Sequence, residues 1–287
     1  MQLFYYIKND KIFMEVFIMA HNLNNIIVDR VLRGIFSDKN DNIIFSLNQV
    51  QNLSLNQTSE SQEVTDALGV SIMELMRAKA LEASAENAIY DFGLLAAQYG
   101  TEKVSGDAVV TPKMETFSIA AADENGKYMH NLAHMPIKTP VEVYELNGDS
   151  TLGEKYVYGE KAEPATADHP ATFAYVDGVI ELPAVDSDAE FFVMYEYMSD
   201  NAMEVVNSAN QFAKMGKMTF EILAYDVCDP ETKLFGYLVL PRFQLSNDFD
   251  WSIGGDSQTH AFSGKAMVDY CQRDKKMVRV VIVDDEE

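Results

Sequence analysis

The chain has 287 residues, which is enough to bury a substantial hydrophobic core in one large domain or two smaller ones. Hydrophobic residues make up 47% of it and charged residues 23%, so wholesale disorder is excluded. The 45 acidic residues outnumber the 22 basic ones and give a formal net charge of −23. A surface this acidic argues against tight binding to nucleic acid or to anionic membranes.

The two cysteines and the N-terminus exclude further classes. Cys228 and Cys271 have neither the spacing of a disulfide framework nor that of a cysteine zinc site, so we expect free, buried thiols. Charged residues interrupt the apolar stretches near the N-terminus, and no run reaches the length of a membrane span. Because Met19 offers an alternative translation start, residues 1–20 are interpreted as an N-terminal arm, of which residues 1–18 could be an upstream extension.

The first predicted elements are short. The apolar spacing of residues 25–35 fits a short helix or a strand equally well. Residues 43–47 and 50–55 are predicted strands, and the polar run of residues 56–62 is predicted to be a loop.

Two alternatives remain open for residues 72–97. Apolar residues at helical spacing, together with many strong helix formers, predict a helix. Leu81, Ala83 and Ala85, however, alternate with polar neighbours, as in a half-buried strand. Pairing with a neighbouring strand can override the local preference for a helix.

Alternation of apolar and polar residues dominates the middle of the chain. The predicted strands here are residues 109–121, 141–146, 171–176, 179–182 and 190–198. Asp177-Gly178 lies between two of them and predicts a hairpin with a type I′ turn. Residues 202–213 carry apolar side chains at helical spacing, with Gly216 just beyond, and are the best isolated helix prediction.

The last quarter, residues 217–268, is predicted to be a run of strands. Residues 218–224 alternate cleanly, whereas residues 234–240 are apolar almost throughout and are predicted to be buried on both faces. Pro241 is expected to end the pairing of that strand or to place it at an edge. A terminal strand is predicted at residues 277–283. The predicted fold class is therefore mainly β, with one or two short helices.

Candidate sites for chemistry are weak. His130 and His134 would share one face of a helix and could hold zinc, but Asn131 replaces the glutamate that a metalloprotease needs as general base. Residues 186–190 begin like a calcium loop but lack its glycine and its distal glutamate. The glycine pair before Asp256 has no following helix or lysine, so it is not a phosphate loop.

No signature of an enzyme is found in the sequence. There is no Gly-x-Ser-x-Gly elbow, and nothing singles out two of the 45 acidic residues as a glycosidase pair. Tyr156, Tyr158 and Tyr175 could stack on sugars, although aromatic residues on strands more often lie in a core or an interface. We therefore assign no catalytic, cofactor-binding or metal-binding residue, and expect a protein that is not an enzyme and needs no cofactor.

The C-terminal half carries a resemblance to a known family. The segments FGYLVLP from Phe235, LSNDF from Leu245, HAFSGKA from His260 and DYC from Asp269 look like the C-terminal half of structural proteins of tailed bacteriophages, most like major tail tube proteins. In those proteins a similar pattern to that of residues 72–97, ending in an Asp-Phe-Gly-Leu-Leu-like run, forms strands.

The resemblance implies a β-sandwich of the tail-tube type, formed by residues 21–121 and 200–287. Residues 122–199 would then be an inserted β module. It also implies that copies of the chain close into a ring, usually a hexamer, and that rings stack into a tube around a DNA channel. The implied partners are other copies of the chain and other tail or virion proteins, while DNA passes without specific binding and no membrane is bound.

The resemblance implies a location in the tail of the virion, with assembly in the host cytoplasm. Two alternatives stay open, namely a capsid decoration or head structural protein and a carbohydrate-binding β module or glycosidase. The apolar and aromatic side chains of residues 190–198 and 234–240 exceed what one exposed face tolerates, which predicts self-association. If a channel exists, its face is expected to carry more acidic than basic residues, so that DNA slides.

Overall fold

A computed structural model describes residues 6–8, 11–13, 23, 25–106, 108–119, 122–123, 126–140, 142–185, 189–229, 231–250, 259–270 and 273–283. Four features discussed above lie outside these residues: the alternative start at Met19, the acidic residues 186–188, the glycine pair 254–255 and Cys271.

The structure is mainly β, as the sequence predicts. Its elements are β1 (Tyr6–Lys8), β2 (Lys11–Phe13), β3 (Ile26–Ser37), β4 (Ile43–Leu47), β5 (Val50–Thr65), β6 (Ser71–Asn87), α1 (Phe92–Tyr99), β7 (Val104–Gly106), β8 (Val109–Ser118), β9 (Tyr128–Asn131), β10 (Glu142–Leu146), β11 (Leu152–Tyr158), β12 (Ala171–Val176), β13 (Val179–Leu182), β14 (Glu190–Ser199), β15 (Ala202–Glu204), β16 (Met215–Asp226), β17 (Lys233–Leu245), β18 (His260–Ala266) and β19 (Arg279–Val283). They form two compact units, one of residues Met1–Lys103 and Val205–Glu287, the other of residues Val104–Glu204.

The first unit is built on an eight-stranded sheet. Its strands follow the order β4-β3-β16-β17-β18-β6-β5, and β19 pairs with β17. One face of the sheet buries a core with the helix α1. This core includes Phe36, Phe220, Phe243, Leu94 and Leu240. The sequence left helix and strand open for residues 25–35, and all of these except residue 25 lie in β3, which pairs with β16 along most of its length.

The helix α1 begins and ends with standard capping contacts. The Asp91 carboxylate accepts a hydrogen bond from the Leu94 N–H at 2.7 Å, and Gly100 closes the helix in the left-handed conformation at φ 75°. The resemblance predicted strand for this Asp-Phe-Gly-Leu-Leu run, and that prediction is wrong. β6 ends at Asn87, and the helix that Asp91 caps buries Leu94 and Leu95 in the core.

The helix predicted at residues 202–213 is also wrong. Residues 202–204 form β15, which pairs with β7, and the described residues that follow contain no helix. The backbone here is bonded to distant partners instead. The Ala213 N–H donates to the Asn247 side chain at 2.6 Å, and the Lys214 N–H donates to the Ala97 carbonyl at 2.8 Å. In a helix these two backbone N–H groups would donate to carbonyls of the same segment, and here distant residues accept their hydrogen bonds instead.

The second unit is a seven-stranded sheet with its own core. The strand order is β8-β14-β10-β11-β12-β13-β9. The core contains, among others, Val143, Phe173, Ile180, Phe191 and Val193. This unit begins before residue 122, because β8 pairs with β14 in register from Val109–Ser199 to Ser118–Glu190. In the hairpin β12–β13 both turn residues, Asp177 and Gly178, have positive φ, as a type I′ turn requires.

Three local predictions for strands need correction. Residues 56–62 are not a loop, because β5 continues to Thr65 in register with β6. β17 is not buried on both faces, since its residues alternate between exposed and buried from Lys233 to Leu240. Pro241 does not end β17 either. It lies where the register with β16 shifts, at an irregularity that tolerates a residue without an N–H.

Candidate assembly surfaces

Beyond the sheet, β5 and β6 continue as a two-stranded antiparallel arm, which we define as residues 56–80. Every residue of the arm is exposed, and along it the two strands are paired with each other. At about 3.4 Å per residue the arm is roughly 30 Å long. An isolated two-stranded ribbon is only marginally stable in water, so an arm of this length is expected to gain stability from a partner.

The tip of the arm is a tightly bonded turn. One oxygen of the Asp66 carboxylate accepts hydrogen bonds from the N–H groups of Leu68 and Val70, each at 2.8 Å. Gly69 adopts φ 82°, a conformation that other residues rarely take. This turn leaves the side chain of Leu68 88% exposed, so a large apolar residue is held at the very end of the arm.

Both faces of the arm carry exposed apolar side chains. Val64 lies opposite Met73, which places both on one face together with Leu75. Ile72 and Met76 lie on the other face and are 66% and 70% exposed. Exposed apolar residues that cluster in this way mark interaction sites rather than ordinary surface.

Charge on the outer half of the arm has a single sign. Residues 61–76 contain Glu63, Asp66 and Glu74 and no basic residue. Glu63 lies directly opposite Glu74, on the same face as Ile72 and Met76. Like charges in this position repel each other and destabilise an isolated hairpin.

A second surface lies on the first unit, on the outward side of four strands, and its side chains are exposed or half-buried apart from Leu223, which is buried. We call it the basic face. Cross-strand pairs show that the following residues share it: Ile27, Arg30, Arg33 and Ile35 of β3, Thr219, Glu221, Leu223 and Tyr225 of β16, Lys233, Phe235, Tyr237 and Val239 of β17, and Arg279, Val281 and Val283 of β19. Four of these residues are basic and one is acidic, in a protein whose net charge is −23.

The basic face mixes charge with exposed apolar and aromatic groups. Ile27, Phe235 and Tyr237 are all exposed large side chains. Arg33 lies 3.7 Å from Glu221, and Arg30 lies 3.8 Å from its neighbour Asp29, so two of the four basic side chains have an acidic partner. The combination of aromatic, aliphatic and arginine side chains is typical of protein interfaces.

The second unit also exposes apolar residues, on the outward side of β8 and β14. Met114 lies opposite Met194, and Val110 lies opposite Met198. All four side chains are exposed, whereas Val193 on the other side of β14 is fully buried. The apolar excess noted in the sequence of β14 thus lies partly on the surface.

The two histidines of the zinc hypothesis do not share a helix face. His130 lies in β9, where its ring stacks on Phe117 at 3.9 Å. His134 follows β9 in a bend, and its ring stacks on Tyr197 at 3.9 Å. Among the described residues, no three His, Cys, Asp or Glu side chains are grouped as metal ligands.

Instead, His130 belongs to a hydrogen-bond network around Glu115. The carboxylate lies 2.9 Å from His130 Nε2, and it accepts hydrogen bonds from the Tyr195 hydroxyl at 2.7 Å and from the Ala133 N–H. Burial raises the pKa of Glu115, but these hydrogen bonds outweigh it and lower the pKa below its usual value. Burial and the bond to Glu115 raise the pKa of Tyr195 to about 12. The network fixes the segment after β9 against the sheet.

The other sequence candidates do not form a site. Tyr156 is buried and its pKa is raised by that burial to about 12, so it cannot stack on a sugar, while Tyr158 is exposed and packs edge-on against Phe173. Cys228 is a free thiol as expected, but it is exposed rather than buried. Of the calcium-like run, Glu190 is described and begins β14.

Sequence reasoning missed both surfaces that now stand out, the arm and the basic face. A signal for the arm was present, since apolar Ile72, Met73, Leu75 and Met76 in succession cannot all face one core. No such signal existed for the basic face, because its residues come from four separate segments of the chain.

In the part of the chain that the structure describes, no helix is both long and apolar enough to cross a membrane.

Comparison with known protein families identifies a relationship. The sequence model of the YomU/Tube protein family matches residues 25–280, which covers all of the second unit and most of the first. No curated protein matches the chain. Since the match runs from β3 into β19, the arm lies within it, and so does the basic face except for Val281 and Val283. The chain therefore belongs to the YomU/Tube protein family and is a phage tube-related structural protein.

Proposed function

We propose that the protein is a tail tube subunit, whose copies close into a ring of about six that stacks with further rings around a DNA channel. The role is structural rather than catalytic, and its place is the tail of the virion. The observation that carries the proposal is the arm, because a long exposed ribbon with apolar side chains on both faces is unstable alone and stable against a neighbour.

Membership of the YomU/Tube family supports the proposal, since it makes a tube-related role the first expectation. The exposed aromatic residues of β17 and the exposed methionines of β14 support it as well. Side chains of this kind in an otherwise acidic surface are typical of faces that other subunits cover. Contact with other tail proteins would use the same surfaces at the ends of the tube.

Two other functions remain as alternatives, and each predicts a different experimental result. A capsid decoration protein would stay a monomer or trimer and bind to capsids. A carbohydrate-binding module would bind sugars saturably, and binding would be lost when exposed aromatic residues are replaced. A tube subunit would assemble with itself.

The test is assembly of the purified full chain. At high concentration and in salt like that of the virion, negative-stain electron microscopy is expected to show rings and stacked tubes, and light scattering a matching rise in mass. A compact monomer under all these conditions would contradict the proposal.

A shortened arm is the matched control. Glu60 lies directly opposite Arg77, so residues 61–76 can be replaced by Asn-Gly, which closes a two-residue hairpin at that pair. The variant is expected to keep the circular dichroism spectrum of a β protein but to remain monomeric. If it assembles as the unaltered chain does, the arm is not the assembly element.

A further inference from the structure

We propose that the arm of one copy docks on the basic face of a second copy, with the arm face that carries Glu63, Ile72, Glu74 and Met76 turned toward it. This rests on the proposed self-assembly and names the two surfaces that meet.

The shapes of the two surfaces are compatible. The basic face is four strands wide, which at about 4.8 Å per strand gives roughly 15 Å between the outer strands. The arm is a ribbon of two strands, and flat β surfaces pack face to face at a spacing of about 10 Å. Ile72 and Met76 of the arm would then cover exposed Phe235 and Tyr237 of the other copy.

The charges of the two surfaces are opposite. The outer half of the arm carries three acidic residues and no basic one, whereas the basic face carries Arg30, Arg33, Lys233 and Arg279 against Glu221 and against Asp29, which lies beside Arg30. The repulsion between Glu63 and Glu74 would be relieved by a cation placed between them. The other face of the arm carries Val64, Met73 and Leu75. Within residues 61–76 this face has no charged side chain, so its charge does not complement that of the basic face.

The occupant is a second copy because the chain's own arm does not reach its own basic face. All of residues 56–80 are exposed, and so are Arg30, Arg33, Lys233 and Arg279. Two copies with a net charge of −23 each repel one another over most of their surface. Contact between copies therefore favours the place where a basic surface meets an acidic one.

A charge swap tests the docking. Glu63→Lys with Glu74→Lys in the arm, or Lys233→Glu with Arg279→Glu on the basic face, is expected to raise the concentration needed for assembly about tenfold or more. All four changes in one chain are expected to restore assembly to within about threefold of the original. The matched control is Glu160→Lys with Glu163→Lys, which changes net charge as the arm variant does, on an exposed loop of the second unit.

Cross-linking reads out the contact without requiring a complete tube. In a chain with Cys228→Ser and Cys271→Ser, Met76→Cys and Phe235→Cys are made as two separate variants and mixed with a short bis-maleimide. A linked dimer is expected in the mixture but not from either variant alone. Leu75→Cys, on the opposite arm face, is the control and is expected to link with Phe235→Cys at least about fivefold less.

The outcomes separate this inference from the proposed function. If the original chain forms tubes while the charge variants assemble equally well and no cross-link forms, the docking is wrong and the tube function stands. If no assembly occurs under any condition, the proposed tube function is wrong. The docking is then supported if the Met76→Cys and Phe235→Cys variants cross-link, and contradicted if they do not. If the original chain shifts duplex DNA in a gel and Lys233→Glu with Arg279→Glu abolishes the shift, the basic face binds nucleic acid and the docking is overturned.

Discussion

At the scale of single residues, His260 links the helix α1 to the sheet. Its side chain is buried, its Nε2 lies 2.9 Å from the Gln98 Oε1, and the Asp91 N–H donates to its Nδ1 at 3.4 Å. The ring therefore accepts at Nδ1 and donates at Nε2, which is the neutral form. Since Asp91 caps the start of α1 and Gln98 lies near its end, one histidine contacts both ends of the helix.

Replacing His260 by glutamine is expected to flatten the pH dependence of stability. Burial lowers the pKa of His260 below its usual value of 6.5, although Asp91 opposes the shift. Its contribution to stability is complete above pH 6.5, where neither state holds the proton, and is lost as pH falls through the lowered folded pKa. In that window His260→Gln should remove a slope of up to about 1.4 kcal/mol per pH unit.

The measurement is urea unfolding of the shortened-arm chain between pH 5 and 8, so that assembly does not interfere. Tyr90, whose ring lies 5.2 Å from His260, and Gln98 are left unchanged. An identical slope with and without His260 would show that this histidine does not govern the acid sensitivity.

Gly100 is expected to tolerate no side chain. A Cβ there would lie 2.0 Å from the carbonyl oxygen of Phe212, and its φ of 75° is itself unfavourable for other residues. Gly100→Ala should cost about 3 kcal/mol or more, because backbone rather than a flexible side chain stands in the way. Gly69→Ala, at φ 82° with no atom within 4 Å of the Cβ, should cost only about 1 kcal/mol.

Thermal unfolding of the two glycine variants separates the clash from the cost of the left-handed conformation. Equal losses of stability in both would mean that the segment around Phe212 moves aside.

At the scale of elements, β6 changes its environment along its length. From Ser71 to residue 80 it belongs to the arm and is exposed, and from Leu81 it alternates between the core and solvent. Leu81, Ala83 and Ala85 enter the core beside Phe262 of β18, and small residues leave room for that ring. Helix-forming residues adopt a strand here because two neighbouring strands bind their backbone.

The same substitution at two points of β6 should therefore have different effects. Leu81 is 4% exposed, so Leu81→Ala is expected to lower the free energy of unfolding by about 3 kcal/mol, through lost contacts and the cavity left behind. Leu75 is 37% exposed on the arm, so Leu75→Ala should change the free energy of unfolding by less than about 0.5 kcal/mol. Urea unfolding measures both, and similar losses would mean that the arm is packed in the subunit rather than exposed.

At the scale of the whole molecule, acidic residues are not shared evenly. Residues 104–204 contain 19 acidic and 5 basic residues, a formal charge of −14, whereas the rest of the chain has 26 and 17, a charge of −9. A surface that lines a DNA channel is expected to be acidic, so that DNA slides past. The basic face is therefore the part of the first unit least suited to such a channel, and docking of an acidic arm would cover it.

The protein is expected not to bind duplex DNA tightly at physiological salt. At physiological salt, where the Debye length is about 8 Å, the attraction of the few basic groups of one face for phosphates is strongly screened, and the acidic surface around them adds no favourable phosphate contact. Gel shift or fluorescence anisotropy with a short duplex tests this on monomer and on assembled protein. Micromolar or tighter binding at that salt would show that the acidity serves solubility alone and that the channel prediction is wrong.

The second unit is expected to be removable without unfolding the first. Its ends meet in the pair β7–β15, where Val104 lies directly opposite Glu204, so the two chain ends are about 5 Å apart. A Gly-Ser linker from Lys103 to Val205 can span that distance. The shortened chain should retain a β circular dichroism spectrum and cooperative unfolding, because the described core of the first unit includes no residue between 104 and 204.

An aggregated or unfolded product would mean that the first unit depends on the second. A chain that folds but does not assemble would give the second unit a part in assembly.

The sequence alone determined those features of the chain that depend on near neighbours. Alternation predicted the strands around Val143, Val193 and Phe220, since side chains two residues apart share one face of a strand. Asp177-Gly178 predicted its own turn because both residues tolerate positive φ. Together these signals were sufficient for the mainly β class.

The tertiary structure decided whatever depends on a distant partner. The polar residues 56–62 form a strand because β6 satisfies their backbone. At the end of the segment predicted to be a helix, Asn247 and Ala97 bind the N–H groups of Ala213 and Lys214 instead of local carbonyls. The bulge at Ala78, between the pairs Ser59–Lys79 and Glu60–Arg77, decides which arm residues share a face. The basic face likewise exists only once four segments are paired, since hydrogen bonds between strands, and not local preference, fix their register.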